Sequence, residues 1–191
     1  MIKLQQYFNS ISQISEPTWA VVSKLFRLKT LKKHDYFIRE GEMAREIAFL
    51  ESGLVRAFYR NNEGVEYNKH FFISPCFIGA YASLITGQKN QINQEALTEC
   101  RIWVANYTDL QSLYDAHPDL ERVSRKMAES FFVQKEEREI ALVLLDADKR
   151  YEILQRDFPA LEQLVPQYHI ASYLGITPTQ LSRIRKKASR K

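Results

Sequence analysis

The sequence predicts an α+β chain: a small β-barrel or sandwich, then one long helix, then a helix-turn-helix. Three observations carry this. From about Thr30 to Asp109 the texture is one of short β-branched and aromatic runs separated by turn signals. After Pro118 no glycine appears until Gly175. Between Pro166 and Lys187 two short amphipathic segments flank a single glycine.

Ahead of the strands, Leu4, Tyr7, Phe8, Ile11, Ile14, Trp19, Val22, Leu25 and Phe26 recur at helical spacing, interrupted at Glu16-Pro17, so short helices open the fold. The strand runs are Tyr36-Phe37-Ile38, Ile47 to Leu50, Leu54 to Tyr59, Glu66 to Phe72 and Arg101 to Val104. Glu40-Gly41-Glu42, Glu51-Ser52-Gly53 and Asn61-Asn62-Glu63-Gly64 mark turns, the last suiting a hairpin with its glycine at positive φ. Strands this short and evenly spaced indicate a barrel or sandwich.

Pro118 is a good first-turn residue, and the run from 118 to 145 can form one helix about 42 Å long at 1.5 Å per residue. At 3.5-residue spacing one face reads Leu120, Ser124, Met127, Phe131, Gln134, Arg138, Ala141 and Leu145, apolar at both ends. Such a face fits either a dimer seam or packing inside the chain's own domain. Asp146-Ala147-Asp148 can cap a further helix from Lys149 to about Arg156, stopped by Pro159.

In the last segment Ile170, Ala171 and Leu174 form the inward stripe of one helix, and Gly175 supplies a left-handed turn. Ile176 plugs the core, Thr177 caps, Pro178 takes the first turn, and Leu181 with Ile184 form the stripe of a second helix. Its polar side offers Thr177, Thr179, Gln180, Ser182, Arg183, Arg185, Lys186 and Lys187, side chains that read base edges or hold phosphates. Arg183 suits bidentate pairing with a guanine, and Arg185, Lys186 and Lys187 suit phosphates.

Charge is distributed accordingly. The 191 residues carry a net charge of +4, yet no Asp or Glu follows Glu162, while Arg183, Arg185, Lys186, Lys187, Arg190 and Lys191 add six positive charges. The rest of the chain has 21 basic against 23 acidic residues, so the basicity belongs to the end. An αα-hairpin with a solvated basic terminus is the plain alternative to nucleic-acid binding.

Other chemistries find little support. His34, His70, His117 and His169 are scattered, without a His-x-His pair, and Cys76 and Cys100 lie too far apart for a Cys-x-x-Cys site, so no metal or other cofactor is expected. No nucleophile elbow, phosphate-binding glycine loop or dinucleotide fingerprint appears, and no enzyme activity is expected. A cupin-like small-molecule-binding protein would use the same barrel, and a protein-protein signalling module would leave the basic end without a purpose. No run is apolar enough to span a bilayer, and Met1 to Gln6 lacks a secretory start, which makes the cytoplasm the expected location and no membrane an expected partner.

The order of these parts resembles the Crp/Fnr family of bacterial transcription regulators. The resemblance rests on Arg39 to Tyr59 with glycines at 41 and 53, Phe77-Ile78-Gly79, His117-Pro118-Asp119, Leu145-Asp146, and Ile170-Ala171 through Leu181-Ser182-Arg183-Ile184. It implies three parts. Residues 1–117 would be a double-stranded β-helix, a jelly roll of the cyclic-nucleotide-binding type; 118–145 a dimerisation helix; and 146–191 a helix-turn-helix domain with a reduced or absent wing. It also implies a homodimer on inverted-repeat double-stranded DNA, with RNA polymerase as a further partner. The seam would be Leu120, Met127, Phe131, Gln134, Arg138 and Leu145. The effector pocket would fall at Gly79, Ala80, Tyr81, Ser83, Asn90, Gln91 and Lys135. Members that bind cyclic AMP place a Glu for the ribose after Phe-x-Gly and, further on, an Arg for the phosphate. Ala80 and Asn90 stand there instead, and neither can hold a buried phosphate charge, so the effector is an unknown one other than cyclic AMP, or sensing is lost.

Overall fold

The computed structural model describes residues 1–188; Arg190 and Lys191 of the basic end lie outside the described residues. Chain order begins with helices α1 (Ile2–Ile11) and α2 (Glu16–Val22), then β1 (Arg27–Leu31), β2 (Tyr36–Ile38), β3 (Glu46–Ser52), β4 (Leu54–Arg60), β5 (Glu66–Ile73) and β6 (Cys76–Ile78). Helix α3 (Tyr81–Thr86), β7 (Asn93–Ala96), β8 (Cys100–Asn106) and α4 (Tyr107–Gln111) lead to the long α5 (Pro118–Leu144). Helices α6 (Ala147–Asp157), α7 (Leu161–Leu164), α8 (Gln167–Leu174) and α9 (Pro178–Ala188) follow.

The strands form two four-stranded sheets ordered β1-β8-β3-β6 and β2-β7-β4-β5, a sandwich as the short, evenly spaced runs lead one to expect and as the resemblance to a jelly roll implies. Leu31, Ala48, Leu50, Val55, Ile78, Ala96, Ile102 and Val104 fill the interior. A second core lies under the N-terminal helices, where Phe8 stacks on Phe77 with ring centroids 5.6 Å apart and Leu4, Val22, Phe49, Leu120 and Val123 close round them. Asp119 pins this corner: its carboxylate accepts from the Ser15 N–H at 2.8 Å and from the Thr18 hydroxyl at 2.9 Å. At the β4–β5 turn Gly64 has φ of 81°, and Asn61 Oδ1 accepts the N–H groups of Glu63 and Val65, so the Asn-x-x-Gly signal forms the expected hairpin.

Two compact units emerge. One comprises Met1–Phe58 with Phe71–Ser130, and the other comprises the hairpin tip Tyr59–His70 with the chain from Phe131 onward. The division therefore runs through α5 and through the β4–β5 hairpin, not at the ends of the long helix.

That division bears on the expected seam. Leu120 is buried in the first unit's core and Met127 packs against the same core, so neither is presented to a partner. In the second unit the Arg138 guanidinium lies 3.7 Å above the Tyr173 ring and donates to the Tyr173 carbonyl at 2.8 Å. Phe131 and Leu145 are half-buried, and Gln134 is exposed. Of the expected seam residues, Leu120, Met127 and Arg138 thus contact their own units. The exposed apolar side chains of the helix are Phe132, Val133, Ile140, Leu142, Val143 and Leu144, with Val143 76% and Leu144 74% exposed.

Candidate nucleic-acid interface

Helices α8 and α9 form the expected helix-turn-helix. Ile170, Ala171 and Leu174 are buried, and Gly175 closes α8 at φ 69°, a left-handed cap that a side chain would strain. The Ile176 N–H returns to the Ala171 carbonyl at 3.0 Å, which turns the chain into α9. There Thr177 and Gln180 cap each other: the Thr177 N–H donates to Gln180 Oε1 at 2.9 Å, and the Gln180 N–H donates to Thr177 Oγ1 at 3.2 Å. Both were expected to face DNA; they are exposed, but this reciprocal pair first fixes the start of the helix. Leu181 is fully buried.

At 100° per residue the side opposite Leu181 carries Thr179, Ser182, Arg183, Lys186 and Lys187, all exposed. Arg185, expected among the phosphate contacts, is paired with an acid in the free chain. It turns back toward the buried side, where its Nε donates to Glu162 Oε1 at 3.1 Å. The Tyr151 hydroxyl donates to the same oxygen at 2.9 Å, and Gln155 Nε2 donates to that hydroxyl at 3.0 Å. Burial, followed by the Glu162 carboxylate, pushes the Tyr151 phenol up to about 12. Lys187 meets Asp148 at 3.1 Å, but with side chains 66% and 43% exposed that pair is weakly held.

The hairpin tip joins the same unit. Ser172 Oγ donates to the Glu66 carbonyl at 2.8 Å and accepts from the Asn68 N–H at 2.9 Å, while Asn68 Nδ2 donates to the His169 carbonyl at 3.0 Å. His70 sets its ring edge-on to Phe158, 5.9 Å between centroids. Burial, then the nearby Arg138 and Lys69 charges, push its pKa down from 6.5 to about 4. The folded chain keeps this imidazole neutral while the unfolded chain protonates it below about pH 6.5. The stabilisation is therefore complete above pH 6.5 and is lost as pH falls towards 4. Chemical denaturation should show about 2 kcal/mol less stability at pH 5 than at pH 7.5, and His70→Gln should remove most of that difference. Equal pH slopes for the two proteins would rule out His70 as its source.

The expected effector residues are placed differently from one another. Gly79 offers its carbonyl to Gln94 Nε2 at 2.9 Å, and Ala80 is buried at the start of α3. Tyr81 is exposed, with its ring edge against Tyr107. Ser83 Oγ donates to the Gln88 carbonyl at 2.5 Å and accepts from the Ala44 N–H at 3.1 Å. Asn90 is buried, its Nδ2 donating to the carbonyls of Arg39 and Ile92. Ser83 and Asn90 thus hold backbone together. Gln91 is exposed, and Lys135 is exposed on the α5 segment of the other unit.

Sequence reading missed β7, where Asn93, Gln94 and Glu95 are all buried. Glu95 lies opposite Arg56 in the β4–β7 register and binds it through Nε at 2.8 Å and Nη2 at 2.6 Å, while its other oxygen meets His34 Nδ1 at 2.8 Å. Gln94 Oε1 is buried without a hydrogen-bond partner among the described residues. A polar tetrapeptide reads as a loop, and only the cross-strand pairing reveals why it is inside. Among the described residues no group of three His, Cys, Asp or Glu is placed to hold a metal ion, and no helix is long and apolar enough to cross a membrane.

Comparison with known proteins agrees with this geometry. Residues 28–117 match the cyclic nucleotide-binding domain family. No curated protein matches the chain by sequence. Among solved structures, the c-di-GMP responsive global regulator CLP of Xanthomonas campestris superposes with a TM-score of 0.72 at 17% identity, over 92% of each chain. FixK2 of Bradyrhizobium japonicum gives 0.77 at 16% identity, over 86% of this chain and 85% of that one. A candidate transcriptional regulator of the crp/fnr family from Eubacterium rectale gives 0.71 at 14% identity, over 91% and 83%. The chain therefore contains a cyclic nucleotide-binding domain and carries the fold of the Crp/Fnr transcription regulators.

Proposed function

We propose that this protein is a homodimeric, DNA-binding transcription regulator of the Crp/Fnr type that reads an inverted-repeat operator. The observation that carries the reading is the exposed face of α9. Thr179, Ser182, Arg183, Lys186 and Lys187 share one side of a short helix that is firmly capped at its start and anchored by buried Leu181. Such a helix enters a major groove, and two-fold symmetry places two of them about 34 Å apart on the duplex. Arg183 reads a guanine, and Lys186 and Lys187 hold phosphates. The β-roll takes an effector other than cyclic AMP or has lost sensing, since Ala80 and Asn90 supply neither the ribose acceptor nor the phosphate cation. It is not an enzyme, it resides in the cytoplasm, and RNA polymerase is its further partner.

Sites selected from a random DNA pool, followed by binding at several salt concentrations, test this. Arg183→Ala should cost about 1–3 kcal/mol per half-site and relax one base position. Lys187→Ala should weaken all sequences alike and flatten the salt slope by about one unit. If wild type binds selected and scrambled duplexes equally, the regulator reading fails.

A further inference from the structure

On α9, Arg185 is held by an acid that is itself anchored by a buried residue. Glu162, the last acid in the sequence, receives Arg185 Nε and the Tyr151 hydroxyl on one oxygen, at 3.1 and 2.9 Å, and Tyr151 is only 2% exposed. The Glu162 and Arg185 side chains are themselves only 22% and 35% exposed, so the pair is less screened than Lys187–Asp148. Beside it runs an open groove of about 500 Å³ lined by Tyr151, Gln155, Glu162, Gln167, Ser182 and Arg185. Ser182 and Lys186, on the exposed side of α9, line the same groove, so open space connects Arg185 with that side. The Glu162 carboxylate, with a lesser contact from the Tyr151 hydroxyl, keeps Arg185 back.

We propose that Glu162 sets the affinity for DNA by withholding Arg185 from phosphate, so that each subunit carries one latent backbone contact. This rests on the DNA-binding reading above. A withheld arginine adds nothing to the sequence-independent attraction, and that attraction is the part of binding that lets a regulator linger on wrong sites. Holding Arg185 back therefore leaves a larger share of affinity to base contacts such as those of Arg183.

The test is a double-mutant cycle on the full-length chain, using Glu162→Gln, Arg185→Met and the pair, with selected and scrambled duplexes from 0.05 to 0.3 M salt. Gln keeps an oxygen for the Tyr151 hydroxyl and removes only the charge. Glu162→Gln should tighten scrambled-duplex binding by about fivefold or more per subunit near 0.1 M salt and steepen the salt slope by about 0.9. Arg185→Met alone should leave affinity and slope as in wild type, and the pair should bind like Arg185→Met. The Arg185 Nε–H resonance gives a readout free of DNA: protected from solvent exchange in wild type, exchanging fast in Glu162→Gln. A gain that persists in the pair would mean a through-space charge effect, and a loss of salt slope in Arg185→Met would mean that Arg185 already holds phosphate; either overturns the proposal. Wild type indifferent to sequence, with the cycle as expected, would instead remove the operator reading and leave Glu162's role intact.

Discussion

Glu95→Ala should cost the first unit about 3–5 kcal/mol, the usual penalty for removing one partner of a buried ion pair. Arg56 is 5% exposed, its guanidinium lies 3.8 Å above the Phe58 ring, and its Nε and Nη2 donate to Glu95 at 2.8 and 2.6 Å. Removing the carboxylate takes two short hydrogen bonds from that cation in a site with little water, and it also takes a partner from His34. The double replacement Arg56→Met with Glu95→Leu should recover most of the loss, because two apolar side chains need no mutual pairing. Denaturant unfolding of wild type, Glu95→Ala and the double replacement decides the matter. A loss below about 1 kcal/mol for Glu95→Ala would mean that water reaches the pair and screens it.

Ile140→Glu with Val143→Glu should convert a dimer into monomers. Val133, Glu136, Ile140 and Val143 follow one another at spacings of three, four and three, the pattern of a coiled-coil seam, and Phe132 and Leu144 flank it. Each apolar side chain buried at such a seam contributes about 1.5–3 kcal/mol, so losing two from each chain, with four carboxylates crowded in their place, raises the dimer Kd by several orders of magnitude. Sedimentation equilibrium reads this directly, and the monomer should also lose the second half-site in DNA binding. Met127→Glu provides the contrast. It injures the core of its own unit and should appear as lost stability, not dissociation. A double-Glu variant that stays dimeric would place the contact elsewhere.

These two predictions show where the sequence could be read and where it could not. The strands β2, β3, β4, β5 and β8 and their turns were legible because β-branched runs and turn glycines act locally, whereas β1, β6 and β7 were not read as strands; the helix-turn-helix was legible because its cap, glycine and stripe lie within one short segment. The long helix was legible as a helix but not as a face. Its apolar residues occupy two sides: Leu120 and Val133 are 13 residues apart, about 140° round the axis, and periodicity alone does not say which side meets the chain's own core. The adjacent cations Arg185 and Lys186 look alike in composition, yet one residue of rotation turns the first back to Glu162. Burial of Asn93, Gln94 and Glu95 depends on pairing with a strand some 40 positions earlier, which no local pattern encodes.

The hairpin tip has a consequence for inheritance. Ser172 and the His169 carbonyl are satisfied by Glu66 and Asn68, residues more than 100 positions away that belong to the same compact unit. The helix-turn-helix end is therefore not a cassette that recombination could move by one crossover after the β-roll. A chimera that exchanges only the residues from Phe131 onward inherits a foreign tip against α8, and transplanting 59–70 along with them should restore what the single exchange loses.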